Sequence, residues 1–144
     1  FNFYAKEEYE TLTIYLSEYQ AGELINKSKV ADLDYDGLES AKRGVIAVIP
    51  DFELFRVKLI IADDYSKCST DFPILENVEN REYYGRSATS IENKSTIEYG
   101  TEQGLAALIY GEQGVSSLPI QDITGEYIDT DNEYMYYYSA EFVK

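Results

Sequence analysis

"EYMYYYSAEF", residues 133–142, sets four tyrosines and the chain's one methionine within five consecutive positions, in a protein without tryptophan or histidine. A helix would scatter those rings around its circumference, whereas an extended chain sorts them by parity. Tyr134, Tyr136, Tyr138, Ala140 and Phe142 then share one apolar face, which is expected to look inward. Met135, Tyr137, Ser139 and Glu141 share the other, whose mixed character suits a wall partly covered by something else. The stretch therefore reads as a β-strand. Its rings either pack a core or line a cavity, and aromatic residues favour strands in both cases.

The same period of two recurs along the chain. In "TLTIYLS", Leu12, Ile14 and Leu16 point one way, and Thr11, Thr13 and Tyr15 the other. "RGVIAVIPDFELFRVKLIIADD" reads as two strands around a turn near Pro50 and Asp51, with Phe55, Val57, Leu59 and Ile61 on one face opposite Arg56 and Lys58. "REYYGRSATSIE", "STIEYG", "LAALIYG" and "TGEYID" complete the expected strands, punctuated by Gly100, Gly104, Gly111, Gly114 and Gly125. Helical signal is thin: in "DGLESAKRG", Asp36 is placed to cap a short helix that Gly44 ends. Residues 66–80, with Pro73, read as a connection. Many short strands with glycine turns predict one mainly β domain over residues 1–144, an antiparallel barrel, open barrel or sandwich with at most one or two short helices.

Composition narrows the function. The net charge of −15 repels a phosphate backbone, so direct nucleic-acid binding is not expected, although an acidic surface can occupy a basic groove as a DNA mimic does. One cysteine, Cys68, forms no internal disulfide and builds no zinc finger. No apolar run reaches the roughly 18 residues of a membrane helix. The start at Phe1 reads as a trimmed product from which an anchor or signal is gone. Without histidine, Ser-His-Asp and Cys-His arrangements are ruled out, and no phosphate-cradling glycine loop occurs. A glycosidase carboxylate pair stays open, but among 27 acids a pair carries little meaning. The expectation is a protein that is not an enzyme and needs no cofactor.

"DLDYDG", residues 32–37, matches the first half of an EF-hand loop, with Asp32, Asp34 and Asp36 as the candidate calcium ligands. The twelfth position, where that loop needs a bidentate glutamate, is Arg43. The motif reads first as a solvated acidic turn before a short helix, with calcium binding as the alternative.

Three quoted stretches taken together, "YETLTIYLSEY", "RGVIAVIPDFELFRVKLI" and "GEYIDTDNEYMYYYSAEF", resemble the ToxS/VtrC group of bacterial periplasmic co-regulators. The resemblance lies in an aromatic leading into a Thr-rich strand, a proline-turn hairpin with a "FRVKL"-like return, and a Gly-Glu-aromatic turn into a strand. It implies a lipocalin-like barrel held outside the inner membrane by an N-terminal helix and paired as a heterodimer with the periplasmic domain of a ToxR- or VtrA-type membrane-bound transcription factor. It further implies a bile salt or similar amphipathic ligand inside the barrel, whose binding activates virulence and secretion-system genes.

Tyrosine-rich walls suit such a ligand, with rings against its apolar face and hydroxyls toward its polar one. The expected wall comprises Leu12, Ile14, Phe55, Val57, Tyr84 and Arg86, continued by Tyr99, Ile109, Tyr134, Tyr136 and Tyr138. Arg81 and Arg86 are the local donors for an anionic tail. Two other classes share the composition: an acidic inhibitor or immunity protein that blocks a basic toxin or nuclease site, and an extracellular β-domain that binds sugar on exposed tyrosines.

Overall fold

The computed structural model of the chain describes residues 1–35, 39–91 and 95–144. Within them nine strands form two antiparallel sheets. Sheet A has the order β1 (Asn2–Tyr4), β4 (Arg43–Asp51), β5 (Arg56–Asp63), β6 (Lys67–Pro73). Sheet B has the order β3 (Glu23–Asp34), β2 (Thr11–Gln20), β9 (Tyr134–Val143), β8 (Gln103–Gly111), β7 (Gly85–Ser90). No strand described here pairs across the two sheets, so the barrel does not close and the arrangement is a sandwich with free edges. Among the described residues the helical content is two 3-10 turns, Arg81–Tyr83 and Ile120–Asp122. No helix among the described residues is long and apolar enough to cross a membrane.

The alternation seen in the sequence fills the space between the sheets. Leu12, Ile14, Ala140 and Phe142 from sheet B meet Ile46, Leu59 and Ile61 from sheet A, with Tyr9 and Tyr35 closing the end. Farther along, Leu16, Tyr136, Tyr138 and Tyr110 meet Val57, Ile74 and Leu75. The rings pack edge to face: Tyr9 on Phe142 at 5.1 Å, Tyr9 on Tyr35 at 5.4 Å, Tyr110 on Tyr136 at 6.2 Å. Polar tips are answered locally, with Leu75 N–H donating to the Tyr136 hydroxyl at 2.8 Å and the Tyr9 hydroxyl donating to Ala41 O at 2.6 Å.

The odd-parity face of β9 is covered from outside. Met135 and Tyr137 pack with Tyr19, Ala107 and Ile109 beneath Ile120, Ile123 and Ile128. Residues 112–133 thus form a strap over the outer face of sheet B. It is fastened by Tyr19, whose hydroxyl donates to Gly125 O at 2.7 Å. Buried Asn132 donates to Ser116 O at 2.9 Å and accepts from Ser116 N–H at 2.8 Å. The turn between β2 and β3 takes Ala21 and Gly22 into the left-handed region, φ 51° and 82°. Gly22 is required there twice over, because a side chain would meet Ile128 O of the strap.

Several elements depart from the sequence reading. β3 was not foreseen, nor was β1. Residues 67–73, expected as connection, are strand β6, which pairs with β5 from Arg56↔Pro73 to Ala62↔Lys67. "STIEYG" is not a strand: the Gln103 side chain accepts from Glu98 N–H at 3.0 Å and donates to Thr96 O at 2.8 Å, giving that backbone partners outside any ladder. "REYYGRSATSIE" is strand only over Gly85–Ser90, because its start turns through Arg81–Tyr83 behind a left-handed Asn80. "TGEYID" keeps one bridge, Glu23↔Tyr127, within the strap. The helix expected in "DGLESAKRG" begins on residues 36–38, outside the described ones. Residues 39–42 are not helical and Arg43 and Gly44 open β4. Tyr9 draws this stretch in, since its N–H donates to Ser40 Oγ at 3.2 Å and its hydroxyl to Ala41 O.

Candidate functional site: a cleft at the β1 edge

β1 is three residues long and joins sheet A through Asn2↔Val45, Phe3↔Gly44 and Tyr4↔Arg43, extended by the flanking bonds of Phe1 with Ile46 and of Ala5 with Lys42. Its neighbourhood is where the two sheets stop filling the space between them. A cleft of about 1410 Å³ opens there among the described residues. Phe1 and Phe3 come from β1 and the residue before it, Arg43 to Ile46 from β4, Ala62 and Asp63 from the end of β5, and Asp64 from the turn beyond it. Sheet B contributes Gln103, Leu105, Ala140 and Phe142, and the segment before β8 contributes Ile97 and Tyr99.

Why the edge is built this way follows from Gly44. Phe3 lies across it, so a Cβ on Gly44 would come within 2.5 Å of the ring and 2.7 Å of Ala62 O. Only glycine lets Phe3 turn in and stack edge-on against Phe142, at 5.3 Å. Tyr99 faces Phe142 from the other wall at 6.4 Å, and its hydroxyl is tied to the Glu7 backbone, accepting from Glu7 N–H at 3.1 Å. The result is an aromatic floor of Phe3, Tyr99 and Phe142.

The rim is charged and mixed in sign. Arg43 lies 5.3 Å over the exposed Tyr4 ring, and Lys6 also lines the cleft. Glu7 pairs with Lys144 at 3.0 Å, and Lys144 also lies 4.9 Å over Tyr99. Asp63 is partly buried, which pushes its carboxyl up. Hydrogen bonds outweigh this and hold it below the ordinary value: the Tyr35 hydroxyl at 2.7 Å, Tyr65 N–H at 2.7 Å and Ser66 N–H at 2.8 Å. Tyr35 is pushed up in turn, by burial first and then by that same carboxylate. Asp63 is therefore a fixed anion that locks the β5–β6 turn. Lys6 and Arg43 are cations on the rim of the cleft, Arg43 standing beside Tyr4 on the outward parity of sheet A.

Of the wall expected from the sequence, Tyr99 lines this cleft. Leu12 and Ile14 lie beneath it in the core between the sheets. Val57, Tyr136 and Tyr138 lie in the neighbouring core cluster, where Tyr84, Tyr134 and Phe55 pack against its margin. Tyr84 and Tyr134 face each other at 6.2 Å. Ile109 is on the opposite side of sheet B, under the strap. Arg86 stacks 4.1 Å over Phe52, and Arg81 lies 4.4 Å over Phe55 while donating to Ile74 O at 3.3 Å. Both arginines are thus engaged at the far end of the sandwich from the cleft.

Phe1, Phe3, Arg43 and Gly44 were missed. The "FNF" alternation at the start and the "RG" pair were the available signals, and a three-residue strand is too short for periodicity to register.

The acidic motif of residues 32–37 straddles the limit of the described residues. Asp32 and Asp34 belong to β3, Asp32 accepts from Thr13 Oγ1 at 3.0 Å, and Asp36 is not described. Among the described residues no cluster of acidic, cysteine or histidine side chains is arranged to hold a metal ion. Cys68 is exposed on β6. No family model, curated protein or solved structure matches the chain.

Proposed function

We propose that the chain is a non-enzymatic binding module that takes an amphipathic, anionic small molecule of the bile-salt kind into the cleft at the β1 edge. The cleft carries this reading. Ligand pockets commonly enclose roughly 300–1,000 Å³ with apolar walls and a few placed polar groups. This one offers about 1410 Å³, an aromatic floor, and Arg43 and Lys6 at the mouth. A fused-ring apolar face lies on Phe3, Tyr99 and Phe142, and the anionic tail reaches Arg43, whose fork suits a carboxylate or sulfonate. The −15 charge of the chain disfavours long-range capture of an anion, so affinity rests on contact.

The wider role is co-regulatory. The protein works as the partner of a membrane-bound regulator of the ToxR or VtrA type in the periplasm, anchored at the inner membrane in its full-length form, and ligand binding activates virulence genes. The sequence resemblance supports this part, and free sheet edges supply places for a partner chain.

Titration with taurocholate tests the ligand. It is expected to raise the melting temperature and change tyrosine fluorescence, with Arg43→Glu weakening binding by about ten-fold, the equivalent of one charge-assisted hydrogen bond. Unchanged melting and fluorescence at millimolar taurocholate would sink the reading. Co-expression with the regulator's periplasmic domain tests the second part, and a protein that elutes alone ends it.

A further inference from the structure

The outer faces of the two sheets differ in charge as well as in cover. The outward parity of sheet A comprises Asn2 and Tyr4 on β1, Arg43, Val45, Ala47, Ile49 and Asp51 on β4, and their opposite numbers on β5 and β6. It presents four cations, Arg43, Arg56, Lys58 and Lys67, against two acids, Asp51 and Asp71, in a chain whose net charge is −15. Tyr4, Val45 and Ile49 stand exposed among them, and the adjoining turns add exposed Leu54 and Tyr65 together with the acids Glu53 and Asp64. The strands of this face thus carry a cationic and apolar surface, rimmed by acids at the turns, on an acidic protein, and no described segment covers it at Ile49, Arg56 or Lys58.

The opposite side of the molecule has the complementary chemistry. The strap of residues 112–133 carries six acids and no lysine or arginine. Glu112, Asp122, Glu126, Asp129 and Asp131 are exposed, and Tyr127 projects among them at 71% exposure. The isoleucines of the strap point down onto sheet B, so its acids point away from sheet A. One copy thus shows cations with aliphatic side chains on one side, and carboxylates with a tyrosine ring on the other.

We propose that the outer face of sheet A docks the strap of a second copy, head to tail, independently of the ligand reading above. Two sheet A faces set against each other would oppose cation to cation, so a two-fold pairing through this face is disfavoured. A heterologous contact leaves a free face at each end and propagates. Four strands at about 4.8 Å spacing and eight residues at about 3.4 Å each give a face on the order of 500 Å². That is below the roughly 800 Å² per partner of a stable complex, so the association is weak and concentration-dependent. The like net charges of the copies repel, a repulsion that is long-ranged at low salt and screened beyond about 8 Å at physiological salt. Association is therefore expected to strengthen as salt rises from near zero, then weaken as the contacts themselves are screened.

Sedimentation velocity tests this at about 0.15 M salt, over a loading range of about 10 μM to about 1 mM, which brackets weak affinities. The mean mass of the wild-type chain is expected to rise at least about two-fold across the range without reaching a plateau. Arg56→Glu with Lys58→Glu is expected to remain monomeric, as is Asp129→Lys with Asp131→Lys. An equimolar mixture of the two double variants restores complementary surfaces at both contacts and is expected to associate again. All four positions are exposed, and circular dichroism checks that each variant folds. A wild-type monomer throughout overturns the proposal and leaves the face to a foreign acidic partner. Saturation at a dimer, association of either variant alone, or a mixture that stays monomeric overturns it as well.

Discussion

Ile109 and Ile49 occupy equivalent places, each on the outer face of a strand one in from the edge of its sheet. Ile109 has no solvent exposure and Ile49 is 47% exposed. Nothing in the two residues accounts for this. The difference is that β8 and β9 of sheet B are joined by a strap that folds back over the sheet, whereas β4, β5 and β6 of sheet A are joined by tight turns with nothing to spare. A sandwich has four faces and this protein uses three for its core. The fourth remains available, and its cations set it apart from the rest of the surface.

The widest test of that contrast is a pair of equal truncations. Ile109→Ala leaves a cavity under the strap and is expected to cost about 2–5 kcal/mol in urea unfolding. Equal losses at Ile109 and Ile49 would mean the two faces are not differently covered. Next in size is the clasp. Asn132→Leu leaves the N–H and C=O of Ser116 without their partner and is expected to cost about 1–3 kcal/mol. Amide exchange should quicken over residues 115–128 and not in sheet A.

Alkaline pH sharpens the comparison by chemistry. Burial, ahead of the charge of Glu102, pushes Tyr137 under the strap up to about 12, from an ordinary 10.0. Burial likewise pushes Tyr110, between the sheets, up to about 12, against the opposing pull of Arg86. Because the fold favours the neutral phenol, this stabilisation is intact below pH 10 and is lost as pH climbs toward 12. Melting temperature followed across that window should fall, and Tyr137→Phe should shallow the fall. The smallest effect is Ile49→Ala, expected within about 0.5 kcal/mol of wild type, as for surface positions generally.

Parity carried the sequence reading as far as strands stay regular. Residues 134–142, 12–16 and 57–61 lie as their alternation required, because each has both neighbours in a ladder and a core on at least one side. β3 was invisible for a definable reason. Its pairing with β2 slips between Ile14 and Tyr15 and again between Glu18 and Tyr19, leaving Val30 and Ile25 as extra residues. Two bulges in one strand reverse the alternation twice, so no single period fits it. β6 was hidden by Ser, Thr, Asp and Pro on an edge where little needs to be apolar. The cleft was the least legible part. Parity says that Leu12, Ile14, Tyr136 and Tyr138 turn inward, but not that they meet other side chains there. The open space arises where Phe3 and Tyr99, separated by most of the chain, face Phe142 without filling the gap.

The register of sheet B also bears on how the protein reaches this shape. β2 pairs along its whole length with β9, from Thr11↔Val143 to Gln20↔Tyr134. The centre of that sheet thus joins one end of the sequence to the other, and closing so long a loop precedes any reward from the contact. β4, β5 and β6 are consecutive hairpins with neighbours close in sequence, so sheet A can assemble while the last strand is still missing. On a ribosome, β2 has only β3 to pair with until the final tyrosines emerge. Refolding is expected to be slow, on the scale of milliseconds to seconds typical of non-local β topologies. The step that sets its pace is the arrival of β9 between β2 and β8.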